Sequence, residues 1–251
     1  MPKLSLDFCS APIVVHGVLV CNDNAEGLIG LDAGTGQRLW GPVPQCIRKT
    51  SSPVVWRHQG KGYVVSALDK AICLDPRTGN VLWEHAEDVS NGGTLAIGGD
   101  YMVTGGGGKG RTGIACLKLS LAGATRVWNR PECGLHVTSP LIHNGHVYGW
   151  MGAGAAACVE LETGKLAGTA DFYSVRTCSS FIGADGRVVR PHLYSKLLLY
   201  DADPKAFRQL GEPWVAPSYA ECTTPAISDG RLFFRGKDCV YCYDLRAAAQ
   251  R

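Results

Sequence analysis

The 251-residue chain is 45% hydrophobic, enough for one sizeable core, and its net charge of +3 is too weak to mark a nucleic-acid or membrane-surface binder. No apolar run approaches the roughly 18 residues of a membrane span, and the opening MPKLSLDFCS reads as carrying no export segment. Its 32 Gly and 13 Pro suit an all-β chain dense in turns.

Taken in order, the chain repeats one pattern. Ser10 to Trp40 holds two short apolar runs, Ile13-Val14-Val15 and Val18-Leu19-Val20, and ends in LDAGTGQRLW. Ser52 to Trp83 is the fullest copy: Pro53 to His58, Tyr63 to Ser66, Ala71 to Leu74 and Val81 to Trp83 read as four strands, and LDPRTGNVLW closes it. Asp32 and Asp75 begin turns whose backbone they can bind, and Gly36 and Gly79 can take the left-handed position. The third copy is irregular and holds Gly105 to Gly110, GGGGKG, which we expect to be a mobile loop. Thr138 to Gly168 keeps Thr163-Gly164 without the Trp, Ser179 to Trp214 has a longer turn, and Thr223 to Leu245 stops after three strands.

The copies share a register. Pro12, Pro53, Pro140 and Pro225 open the first strand after Ser, Thr or Ala, spaced by 41, 87 and 85 residues, or one, two and two periods of about 43. Thr94-Leu95 and Ser180-Phe181 fill the two copies without Pro. Gly-containing turns follow each opening strand, among them His16-Gly17, Asn144-Gly145 and Asp229-Gly230. A four-stranded meander cannot bury both faces alone and needs neighbouring copies. The pattern predicts a single β-propeller domain over residues 1–251, with repeats at roughly 10–40, 51–84, 92–128, 138–168, 179–214 and 223–245.

The units SAP…LDAGTGQRLW, SSPVV…CLDPRTGNVLW, TSPLI…ELETGK and TTPAISDGRLFF…YCYDL resemble pyrroloquinoline-quinone-like (PQQ-like) β-propeller repeats. The non-enzymatic members, similar to the outer-membrane protein assembly lipoprotein, look nearest. The resemblance covers all six copies. It implies a quinoprotein alcohol dehydrogenase-like propeller and a periplasmic or cell-envelope setting; the sequence itself assigns no compartment.

Catalytic readings are weighed against packing. Quinoprotein dehydrogenases hold their quinone beside a pair of adjacent cysteines and a calcium ion. This chain has no adjacent cysteines, and Asp32, Asp75, Asp201 and Asp244 fall in peripheral turns where hard-cation ligands cannot converge. Trp40, Trp83 and Trp128 read as anchors between blades. Gly105-x-Gly107-x-x-Gly110 matches a dinucleotide fingerprint only as letters, since no helix follows, and Cys239-x-x-Cys242 has zinc spacing without a second pair. His58, His136, His143 and His192 read as isolated turn or surface residues. We expect no catalytic residue, no metal and no cofactor.

Cys73, Cys116, Cys158 and Cys242 share one column, two residues before Asp75, Lys118, Glu160 and Asp244, with Gly30 in the first copy. They read as small buried residues, free because equivalent positions in separate blades lie too far apart to bridge. Cys9, Cys178 and Cys222 form a second column just before the first strand, either packed or facing the channel.

A binding role falls to one propeller face. The register places Arg48, Lys49, His136, Arg176, Tyr219 and Glu221 in loops on that face, joined by Asn22, Asp23, Asn24, Lys109, Arg111, His192, Tyr194 and Lys237. Its basic and aromatic mixture suits a protein or peptide partner on a monomeric chain. A degenerate quinoprotein or small-molecule-binding module is the alternative. Lys3 to Phe8 alternates as a half-buried strand should and is expected to supply the fourth strand of the last blade, pairing near Val240 to Tyr243; the rival is that the chain is part of a longer propeller.

Overall fold

Tight turns set the strand spacing. His16-Gly17, Gln59-Gly60, Asn144-Gly145 and Asp229-Gly230 each hold two successive residues at positive φ, the twist that joins antiparallel strands through two residues. The computed structural model describes residues 10–23, 25–43, 51–67, 70–87, 89, 93–108, 111–134, 139–151, 155–171, 182–184, 186–192, 196–205, 208–215, 217 and 225–246. Among them are 24 strands and no helix.

The strands form six antiparallel sheets. Blade one is β1 (Ile13–Val15), β2 (Val18–Asp23), β3 (Gly27–Asp32) and β4 (Arg38–Val43). Blade two is β5 (Val54–His58), β6 (Lys61–Ala67), β7 (Ala71–Leu74) and β8 (Val81–His85). Blade three is β9 (Ala96–Gly98), β10 (Tyr101–Gly108), β11 (Arg111–Ser120) and β12 (Gly123–Arg130). In blade four, β13 (Cys133–Gly134) and β14 (Leu141–His143) both pair with β15 (His146–Met151), followed by β16 (Ala155–Glu160) and β17 (Leu166–Asp171). Blade five is β18 (Ile182–Ala184), β19 (Arg187–His192), β20 (Lys196–Asp201) and β21 (Trp214–Val215). Blade six has three described strands, β22 (Ala226–Ser228), β23 (Arg231–Arg235) and β24 (Val240–Asp244). First strands lie against one another in chain order, from β1 on β5 to β18 on β22. The fold is an all-β propeller, with six blades among the described residues.

The core sits between blades. Val20, Leu28 and Trp40 of blade one close on Val64, Ile72 and Leu74 of blade two. Val65, Cys73 and Trp83 then close on Met102, Leu117 and Leu119 of blade three, and the scheme continues through Cys116 and Trp128 against Val147 and Val159. Both faces of an inner blade are therefore covered, which is why its strands are apolar runs rather than alternations.

A hydroxyl chain runs across the first strands. The Ala11 N–H donates to Ser52 Oγ at 2.9 Å, the Ser52 N–H to Thr94 Oγ1 at 3.1 Å, and the Thr94 N–H to Ser139 Oγ at 3.0 Å. The Ser/Thr recurring before the first strand thus satisfies an amide of the preceding blade, where the strand ladder has not begun.

Several expectations change. Gly105–Gly108 is not a loop: it is the end of β10, paired with Arg111–Ile114. Gly113 in that hairpin has φ +118, and a Cβ there would meet the Arg130 carbonyl at 2.7 Å, so that glycine serves close backbone approach. Cys242 is free but exposed rather than buried, because no described strand or blade covers its side of β24. The proposed closing strand at Lys3 to Phe8 and the column Cys9, Cys178 and Cys222 lie outside the described residues.

Candidate functional site

The acidic turns are occupied by their own backbones. Asp32 Oδ1 accepts from the Gly34 and Thr35 N–H groups at 3.1 and 2.7 Å and from the Thr35 hydroxyl at 2.8 Å. The Thr35 hydroxyl and amide hold the Asp32 carboxyl below the usual range. Asp75 Oδ1 accepts from the Arg77 N–H at 2.8 Å, and Asp201 meets Arg208 at 3.0 Å. Asp244 is held well below the usual carboxylate range by the Arg246 guanidinium and amide. These carboxylates sit in four separate blades, each committed to its own turn. Among the described residues no three His, Cys, Asp or Glu side chains form a group that could hold a metal ion.

The thiols are packing groups where they are buried. Cys73, Cys116 and Cys158 are fully buried, and burial pushes each thiol up to about 12. A thiol so raised is protonated at neutral pH and a poor nucleophile.

The histidines correct the sequence reading. His58 Nδ1 lies 2.8 Å from Asp100 Oδ1, and the same oxygen accepts from Trp56 Nε1 at 3.0 Å. His16 Nε2 accepts from the Gly62 N–H at 3.0 Å. Each contact crosses from one blade to the next. The signal was present in the spacing, since His58 and Asp100 are 42 residues apart, one repeat. Trp40 and Trp128 are the anchors expected, with Nε1 donating to the Pro76 carbonyl at 2.7 Å and the Leu161 carbonyl at 2.8 Å of the following blade.

Of the residues assigned to a partner face, Arg48, Lys49, His136, Arg176, Tyr219 and Glu221 lie outside the described residues, as do Asn24, Lys109 and Tyr194. His192 ends β19 and pairs across the sheet with Lys196. Asn22 and Asp23 depart from the expectation: both are buried, and Asp23 Oδ1 caps its own hairpin through the Ala25 N–H at 2.8 Å. Asp23 therefore holds its own turn.

Two exposed apolar features escaped the sequence reading. A bulge recurs in the fourth strand, where Trp40, Trp83 and Trp128 pair directly but the preceding residue is extra. It turns Leu39, Leu82 and Val127 outward, 50%, 42% and 42% exposed. The other feature is the outer side of blade six, where Ala226, Val240 and Cys242 are exposed.

A model of the outer membrane protein assembly factor BamB family matches residues 2–170, more than half of the chain. The chain belongs to this family. No curated protein sequence matches it. Among solved structures, this BamB-family chain is similar to BamB from Moraxella catarrhalis at 12% identity and TM-score 0.71, over 96% of this chain and 70% of that one. It is similar to the computationally designed Ika8 protein at 14% identity and TM-score 0.69, over 96% of this chain and 72% of that one. It is also similar to quinohemoprotein alcohol dehydrogenase from Comamonas testosteroni at 13% identity and TM-score 0.68, over 92% of this chain and 52% of that one. At these identities the likenesses establish the shared propeller fold.

Proposed function

We propose that this chain is a non-catalytic propeller that acts as a protein-interaction scaffold in cell-envelope assembly. The family match carries the reading. The side-chain chemistry supports it: turn carboxylates are spent on local amides, and the central thiols are buried and protonated. The candidate partner face stays as assigned from the sequence, with Arg48, Lys49, His136, Arg176, Tyr219, Glu221 and His192 as its residues. A pull-down from a bacterial envelope fraction with the full chain as bait tests the reading. A specific envelope protein retained by the wild type and released by charge reversal at Arg48 and Lys49 is expected. A chain that retains no envelope protein would count against the scaffold.

A degenerate quinoprotein is the second reading, favoured by the fold shared with the quinohemoprotein dehydrogenase. Pyrroloquinoline quinone and calcium added to the purified chain should yield no bound quinone absorbance and no dye-linked alcohol oxidation. Turnover abolished by a chelator would replace the scaffold reading with this one.

A further inference from the structure

Two seams of the propeller carry a histidine bond, and the two bonds answer protonation in opposite ways. Between blades one and two, the Gly62 N–H of β6 donates to His16 Nε2 at 3.0 Å. The ring nitrogen that accepts is the one without a hydrogen, so His16 is neutral in this contact and its proton sits on Nδ1. β7 pairs with β6 only as far as Val64. The Gly62 amide falls beyond that ladder, and the imidazole stands in for a strand carbonyl. The fit is close: a Cβ on Gly62 would lie 2.8 Å from Val15 Cγ2 and 3.2 Å from His16 Nε2, so glycine is what lets β6 reach the ring. Between blades two and three, His58 Nδ1 lies 2.8 Å from Asp100 Oδ1. A proton added to His58 leaves that bond in place and turns it into an ion pair.

The charges around His16 do not welcome a proton. Arg57 lies opposite Gly62 in the β5–β6 ladder, on the side that Val55 turns toward blade one. Lys61 pairs with His58 and shares its side, toward blade three. Asp32 at the end of β3 and Asp75 after β7 are spent on the amides of their own turns, and Arg77 beside Asp75 is exposed. Among the described residues, the charge on the His16 side of the hairpin is therefore the Arg57 guanidinium.

We propose that His16 is an acid-released latch: when mild acid protonates its ring, blade one loosens from blade two while blade two stays tied to blade three. A proton on Nε2 fills the lone pair, so donor faces donor at Gly62. It also places a second cation beside Arg57. Both effects drive the ring off the hairpin. Imidazole is the side chain whose charge changes between about pH 5 and pH 8. Release at His16 therefore comes before the stronger acid in which the Asp100 carboxylate gives up the second seam. The latch is independent of the scaffold reading and holds whichever partner the propeller takes.

Hydrogen exchange on the full nitrogen-15-labelled chain tests the latch, read by nuclear magnetic resonance and divided by the intrinsic rate at each pH. Between about pH 7.5 and about pH 5, protection of the Gly62 amide should fall more than about tenfold. The Trp56 indole N–H, which donates to Asp100 Oδ1 at 3.0 Å, should keep its protection over the same range. In His16→Gln the side-chain carbonyl still accepts but cannot titrate, so Gly62 should stay protected at both pH values. Unchanged Gly62 protection in the wild type overturns the proposal. So does an equal fall in H16Q, or a parallel loss at Trp56, which would make the effect of acid global. Should H16Q fail to fold, the wild type decides alone through the nitrogen-15 shifts of the His16 ring. A neutral ring protonated on Nδ1, with Gly62 protection lost as that ring titrates, supports the latch; the other tautomer, or loss at a different pH, sinks it.

Discussion

The Trp40 indole N–H donates to the Pro76 carbonyl at 2.7 Å, tying the outer strand of blade one to the turn of blade two. Trp128 repeats the bond to Leu161, and both rings lie on a left-handed glycine, Gly79 and Gly164, where a Cβ would come within 2.6 Å. Trp83 does not repeat it. The third blade joins its last strands through Leu121-Ala122 in place of the Thr-Gly turn, and Trp83 Nε1 is buried without a hydrogen-bond partner among the described residues. Trp→Phe at 40 or 128 should therefore cost about 1 kcal/mol more than at 83, the worth of a hydrogen bond whose carbonyl is left unpaired. Urea unfolding of the three variants measures the difference. Equal losses would mean that the indole bonds add nothing to packing.

The hydroxyl chain makes a separate claim. Ser52→Ala, Thr94→Val and Ser139→Ala each remove an acceptor used by the amide of the blade before, at Ala11, Ser52 and Thr94. Each should cost about 1 kcal/mol and speed exchange at that one amide. Nuclear magnetic resonance exchange rates that rise evenly across all blades would contradict a local bond.

Thiol labelling reads the fold directly. Cys239 and Cys242 are exposed, whereas Cys73, Cys116 and Cys158 are buried with thiols pushed up to about 12. At pH 8 iodoacetamide should modify Cys239 and Cys242 in the native protein and the other three only in denaturant. Peptide mass spectrometry after timed labelling would reveal native modification of Cys116, which would contradict its position between blades three and four.

Acid should weaken the contact between blades two and three. The His58 hydrogen bond, aided by the Trp56 indole, holds the Asp100 carboxyl below its ordinary value. The folded state therefore favours the ionised acid. Its contribution is present above the unfolded carboxylate value, about pH 4, and is lost as pH falls further through the folded value. Asp100 is partly exposed, so screening keeps the effect below about 1 kcal/mol. The melting temperature of Asp100→Asn should trail the wild type at neutral pH and converge with it on acidification. A gap that widens below pH 4 would reverse the sign of the argument.

Turn chemistry and register were legible in the sequence. Gly36 and Gly79 take positive φ as expected, and Asp32 and Asp75 bind the turns they open, because those demands act over four or five consecutive residues. Blade count followed from the same local signals repeated at a fixed period. The bulge before Trp40, Trp83 and Trp128 was not legible, since one extra residue leaves the letters of the turn unchanged.

The sequence by itself determined the six strand meanders and the residues that anchor them, because hydrophobic runs and left-handed turns are short-range constraints. Only the tertiary structure decided what those residues meet. His58 reads as an isolated surface residue until Asp100 arrives from the next blade. Cys242 reads as one more buried column residue, yet it is exposed among the described residues. Burial depends on the neighbouring sheet, and that neighbour lies about one repeat away along the chain, beyond the reach of local pattern.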